Sequence, residues 1–147
     1  MDTRERMQAR HWVQGAIALY ESAGKQAALV RIADPEGPFV EGERYIFALD
    51  LEGNLLAHPF SKQLVGQNLT NLTDHDGKSF IGKVVATSKT RGYGFIEYRW
   101  ALPNSNDDLH KTVFFERVDE MVLCSGFYTV GSPLEDIFRC FSFYGPC

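Results

Sequence analysis

The chain has 147 residues and a mass of 16.6 kDa, the size of a single domain. Hydrophobic residues make up 44% and charged residues 23%, which excludes global disorder or low complexity. Fifteen basic against nineteen acidic residues give a net charge of −4, the wrong balance for neutralising phosphates, so nucleic acid is not an expected partner. No apolar stretch approaches the roughly 18 residues needed to cross a bilayer. Met1–Arg10, with three arginines and two acids, does not read as a signal peptide. The expectation is a cytoplasmic chain, or one whose targeting segment lies outside it. Cys124, Cys140 and Cys147 form no CxxC or Cys/His spacing, so neither structural zinc nor attached haem is expected.

Val13, Ala16, Ile17, Tyr20 and Ala27 share one helical stripe, and Glu21 and Lys25 form an i,i+4 pair. The pattern predicts a long helix broken at Gly24 and a short second helix ending near Ala33, stopped by Asp34-Pro35-Glu36-Gly37-Pro38. Arg44–Asp50 and Leu55–His58 flank Glu52-Gly53-Asn54 as a β-hairpin. Pro59 to Asp76 lacks a sustained period, and a connection of that length usually carries function. A helix fits Lys78 to Lys89, with Phe80, Ile81, Val84, Val85 and Ser88 on one side. Strands are expected at Phe95–Ala101, Thr112–Arg117 and Met121–Tyr128 with hairpin spacing, which makes the sheet antiparallel and the class α+β. Ser132-Pro133-Leu134-Glu135 has the form of a capping box opening a short tail helix.

The run Tyr45-Ile46-Phe47-Ala48-Leu49-Asp50-Leu51-Glu52-Gly53-Asn54-Leu55-Leu56-Ala57-His58-Pro59 resembles the opening hairpin of a single Cache domain. Leu64–Leu69, Asp76–Phe80, Gly92-Tyr93-Gly94 through Trp100, Pro103, Lys111 and Gly126-Phe127-Tyr128 follow in the family's order. The resemblance covers roughly residues 10–128 and rests on the ordered set, since each element alone is weak. It implies a PAS-like fold, with a long N-terminal helix packed on a five-stranded antiparallel sheet. It also implies a periplasmic or otherwise extracytoplasmic sensor that binds a small organic acid or similar metabolite, without catalysis and without a cofactor. The division it suggests is a helical segment over 1–33, a sensor core over 34–128 and a tail over 129–147. One departure is Phe114, where the family's usual Tyr would offer a hydroxyl.

Strand alternation places Ile96, Tyr98 and Trp100 on one face, and Phe95, Glu97 and Arg99 on the other. By the resemblance, Tyr98, Trp100 and Lys111 belong to the pocket, where rings exclude water and an ammonium meets a carboxylate. His58, fixed in direction by Pro59, is a candidate donor to the ligand or to a loop carbonyl. Arg44 and Tyr45 point to opposite faces, and Tyr45 is the expected inward residue. Asp74-His75-Asp76 reads as turn and N-cap chemistry ahead of a helix rather than a metal site. The cluster of Lys78, Lys83, Lys89 and Arg91 reads as a solvated face. No nucleophile elbow, phosphate loop or metal helix is present, so an enzyme is not expected. The broad stripe from Trp12 through Val13, Ala16, Ile17 and Leu19 to Tyr20 suggests a homodimer through the first helix. The alternative reading is a dimerising scaffold of the same fold whose pocket holds no ligand.

Overall fold

A computed structural model describes residues 3–74, 76–101 and 108–129. Helix α1 (Thr3–Ala23) buries Ala9, Val13 and Ala16, a stripe at i, i+4 and i+7. Gly24, at φ 94°, turns the chain into α2 (Lys25–Ala33), a conformation that glycine adopts without a Cβ penalty. The break and both helices follow the sequence pattern.

Two-residue β1 (Val40–Glu41) pairs with β2 (Arg44–Asp50), which turns back into β3 (Leu55–Ala57). An irregular strap from Pro59 to Ser79, with one 3-10 turn at Lys62–Leu64, leads to α3 (Phe80–Thr90). β4 (Tyr93–Ala101), β5 (Asp108–Val118) and β6 (Met121–Thr129) complete an antiparallel sheet in the order β1-β2-β6-β5-β4, with β3 also on β2. The sheet therefore has six strands, the five expected and β1, which is too short to show a period of two in sequence.

Both faces of the sheet are covered. Ile46, Ala48, Phe114, Leu123 and Phe127 pack beneath α1 and α2. Tyr45, Phe47, Leu49, Tyr98, Val113, Phe115 and Cys124 face the strap and α3. This two-sided burial explains why β2 is buried from Tyr45 to Leu49 without interruption. The Tyr20 hydroxyl donates to the Asp119 carboxylate, tying the end of α1 to the β5–β6 turn.

α3 buries the five residues expected of it, Phe80, Ile81, Val84, Val85 and Ser88. Its start differs from the expectation. Ser79 stands at the N-cap and makes no side-chain cap bond, and the turn is organised by Asp74, whose Oδ1 accepts from Asp76 N at 2.9 Å and Lys78 N at 2.8 Å. Gly77, at φ 81°, folds the chain back so that these N–H groups point at Asp74. Of the basic cluster Lys83, Lys89 and Arg91 are solvated, Arg91 with its guanidinium over the Tyr93 ring, and Lys78 donates to Glu97 O. The stripe read as a dimer surface is largely used within the chain, because Trp12, Ile17 and Tyr20 pack on the same core as Val13 and Ala16. The tail helix, its capping box and Cys140 and Cys147 lie outside the described residues.

Candidate functional site

Lys111 is the largest anomaly in the core. It is 2% exposed, on the strap-side face of β5. Its Nζ donates to Tyr45 Oη at 2.7 Å. The ammonium also lies 4.2 Å from the Tyr45 ring centroid, 5.2 Å from Phe47, 5.5 Å from Tyr128 and 5.9 Å from Tyr98. Among the described residues no carboxylate pairs with it. Four rings stabilise a cation through their quadrupoles, yet a buried ammonium without a counter-charge remains several kcal/mol from ideal. The stem reaches this position over Gly126 on β6, where a Cβ would lie 2.9 Å from Lys111 Cε.

Alternation and register build the cage. Tyr45 and Phe47 are two apart on β2 and share a face. Tyr98 and Tyr128 stand directly opposite Lys111 on the two neighbouring strands. The Tyr45 and Tyr128 hydroxyls lie 3.4 Å apart. Burial pushes the Tyr98 and Tyr128 phenols up, so both remain neutral donors at physiological pH.

His58 follows β3 and is 5% exposed. Its ring lies 4.8 Å from Tyr45 and stacks on Phe47 at 5.6 Å. Nδ1 accepts from Phe60 N at 3.0 Å and Ser61 N at 2.9 Å, which assigns the imidazole proton to Nε2. Nδ1 is thus occupied by two loop N–H groups, and Nε2–H is the group left to donate, to a ligand or to a loop carbonyl. Burial first, and then the field of Lys111, push the His58 pKa down to about 3. The ring is a neutral donor with its remaining proton on Nε2.

Tyr98 stacks on Phe80 of α3 at 3.9 Å and 12°, and Trp100 meets Phe80 edge-on at 5.4 Å. Trp100 thus stands behind Tyr98 as a wall, while Tyr45, His58 and Tyr98 surround the ammonium. Sequence reasoning passed over Phe47, Phe60, Phe80, Gly126 and Tyr128. Alternation from Tyr45 was enough to find Phe47; the others need register or tertiary contact. Phe114 lies on the opposite face, against Phe95 at 5.0 Å and beneath Arg10, so a hydroxyl there would not reach Lys111. An odd separation of three from Lys111 dictates this. Among the described residues no group of three potential metal ligands occurs.

The family model for single Cache domain 2 matches residues 5–130. The chain belongs to this family. The Cache chain is 31% identical over 120 residues to the sensor histidine kinase MctS of Rhizobium johnstonii, covering 80% of this chain and 24% of that protein. It is 26% identical over 117 residues to the methyl-accepting chemotaxis protein McpP of Pseudomonas putida, covering 73% and 22%. It thus spans about a quarter of the length of these curated relatives. Among solved structures, a methyl-accepting chemotaxis protein from Vibrio parahaemolyticus superposes with TM-score 0.71 at 27% identity, covering 86% of this chain and 89% of that one. A Cache chemosensory domain, described as showing the structural basis for carboxylic acid recognition, gives 0.68 at 26%, covering 83% and 86%. The fold is accordingly that of the Cache sensor domains of chemoreceptors and histidine kinases, a family of sensor rather than catalytic domains. Among the described residues no helix is long and apolar enough to cross a membrane.

Proposed function

We propose that this Cache domain is a non-catalytic, extracytoplasmic sensor of a small monocarboxylate. The observation that carries the reading is Lys111, a buried ammonium in a ring cage without a carboxylate partner among the described residues. A ligand carboxylate supplies the missing counter-charge and accepts a charge-assisted hydrogen bond from Nζ. Tyr45, Tyr98 and the His58 Nε2–H are the neutral donors available to its oxygens, and Phe47, Phe60 and Phe80 form the apolar surroundings. The charge count narrows the class. With His58 neutral, Lys111 contributes one positive charge and matches one negative charge. Among the described residues the one buried acid is Asp74, and both of its carboxylate oxygens are already engaged by backbone N–H groups of the strap and β4. Monocarboxylates are favoured over amino acids and dicarboxylates. Acetate and propionate should therefore raise the melting temperature, and glycine and succinate should not. An equal response to all four, or to none, would sink the reading.

The ligand-free scaffold has one observation in its favour, the Tyr45 hydroxyl already capping Lys111. On that reading no acid shifts the melting temperature. A homodimer is retained as part of the proposal. With the inner stripe of α1 used on the sheet, a second copy meets the outer face, where Met7, His11, Gln14 and Ala18 are exposed. Light scattering at high micromolar concentration decides it.

A further inference from the structure

Asp74 lies on the strap, and its charge is felt at the cage only through the Tyr98 phenol, which it helps burial to push up. Its carboxylate nevertheless joins two elements that form the cage wall. Oδ1 accepts from Asp76 N and Lys78 N within the strap, and Oδ2 accepts from Arg99 N at 3.0 Å across on β4. Among the described strands β4 is at the edge of the sheet, and its outward Arg99 N–H is taken by Asp74. Two residues back along β4, Glu97 O accepts from Lys78 Nζ at 2.6 Å. Two residues on from Lys78, Phe80 stacks on Tyr98 and abuts Trp100. Three successive contacts therefore fasten residues 74–80 along residues 97–100: a carboxylate, an ammonium and a ring stack. Asp74 is 9% exposed, and hydrogen bonding from Arg99, Lys78 and Asp76, with the Lys78 charge, holds its carboxyl below the usual range despite burial.

We propose that Asp74 is a positioning residue for the binding site, its carboxylate clamping the strap onto the edge of β4 and so holding the Phe80–Tyr98–Trp100 wall in its binding position. The proposal rests on the reading of the cage as the ligand site. The mechanism is a population effect. Loosening the clamp lowers the fraction of molecules with the wall in place, and the apparent Kd rises by the inverse of that fraction.

Asp74→Asn is the informative substitution. One amide oxygen can still serve the strap N–H groups or Arg99 N, but cannot replace both carboxylate oxygens, and the amide NH2 then opposes a donor. Lys78→Met, which removes the ammonium and keeps the backbone bond to Asp74, is the second variant should Asp74→Asn fold poorly. Two measurements are made on each folded variant. Near-UV circular dichroism without ligand reads the packing of the Tyr98–Trp100 cluster, and calorimetry reads the affinity for propionate. The expected result is a weakened aromatic signal together with a propionate Kd raised roughly tenfold for Asp74→Asn, and a smaller change of the same sign for Lys78→Met. An unchanged near-UV spectrum, or an unchanged Kd beside an altered spectrum, overturns the proposal. If wild-type protein binds no monocarboxylate, the ligand reading fails separately, and the spectrum without ligand still decides whether the clamp holds the wall.

Discussion

Replacing Lys111 by Met tests the central claim, because the two consequences have opposite signs. Met fills the volume of the lysine stem over Gly126 and brings no charge into the core. The folded protein loses a hydrogen bond to Tyr45 Oη and four ring contacts, and it is relieved of an ammonium held 2% exposed without an acid partner among the described residues. Tyr45 Oη keeps the Tyr128 hydroxyl at 3.4 Å, and even a hydroxyl left unsatisfied costs only about 1–3 kcal/mol, whereas relief of a buried charge is worth several kcal/mol. The unliganded variant should therefore melt no lower than wild type. Binding changes the other way. A charge-assisted hydrogen bond is worth about 1.5–3 kcal/mol, a loss of roughly 10- to 150-fold in Kd. At ligand concentration 100 times the wild-type Kd, wild type gains about 2.7 kcal/mol, while a variant weakened 100-fold gains only about 0.4 kcal/mol. For a chain of 147 residues the contrast is a shift of about 5–11 °C against one of about 1 °C. The assay is a thermal melt with and without propionate, with calorimetry for the Kd. A variant that binds as tightly as wild type, or that melts well below it without ligand, would refute the reasoning.

Two further outcomes follow from the same geometry. His58 is neutral in the fold with its pKa lowered from 6.5 to about 3, so its stabilisation is fully present above pH 6.5 and is lost as pH falls toward 3, where the unfolded chain takes up the proton first. Urea melts between pH 7 and 4 should show a slope that His58→Phe reduces, and an identical slope in the variant would contradict the assignment. Gly126→Ala places a Cβ 2.8 Å from Thr112 O and Val113 Cγ2 and 2.9 Å from Lys111 Cε, whereas in Gly94→Ala the Cβ meets the tip of the Phe115 ring at 2.9 Å. Overpacking of this kind costs about 1–3 kcal/mol at either site, but only Gly126→Ala should lose the response to propionate; retention of that response would mean that the Lys111 stem does not depend on Gly126.

Local pattern determined a great deal here. The helix stripe of Val13, Ala16, Ile17 and Tyr20, the break at Gly24, the hairpin around Gly53 and the five buried positions of α3 depend on neighbours a few residues away, where periodicity and turn chemistry act directly. The resemblance added the family and, through it, the candidacy of Lys111 beside Tyr98. Residue alternation put Tyr45 and Arg44 on opposite faces, and packing placed Tyr45 on the strap side and Arg44 against Trp12 of α1.

What tertiary structure decided is which of these residues meet. Tyr128 comes beside Lys111 because β5 and β6 pair in one register, and a slip of one residue would put it on the opposite face. Phe80 reaches Tyr98 only because the strap crosses to β4, where Asp74 accepts from Arg99 N. Composition shows a lysine as an ordinary surface charge. Packing both sheet faces turned Lys111 into a buried cation in need of a counter-charge, since desolvation arises from everything folded around a group and has no signature in the residues next to it.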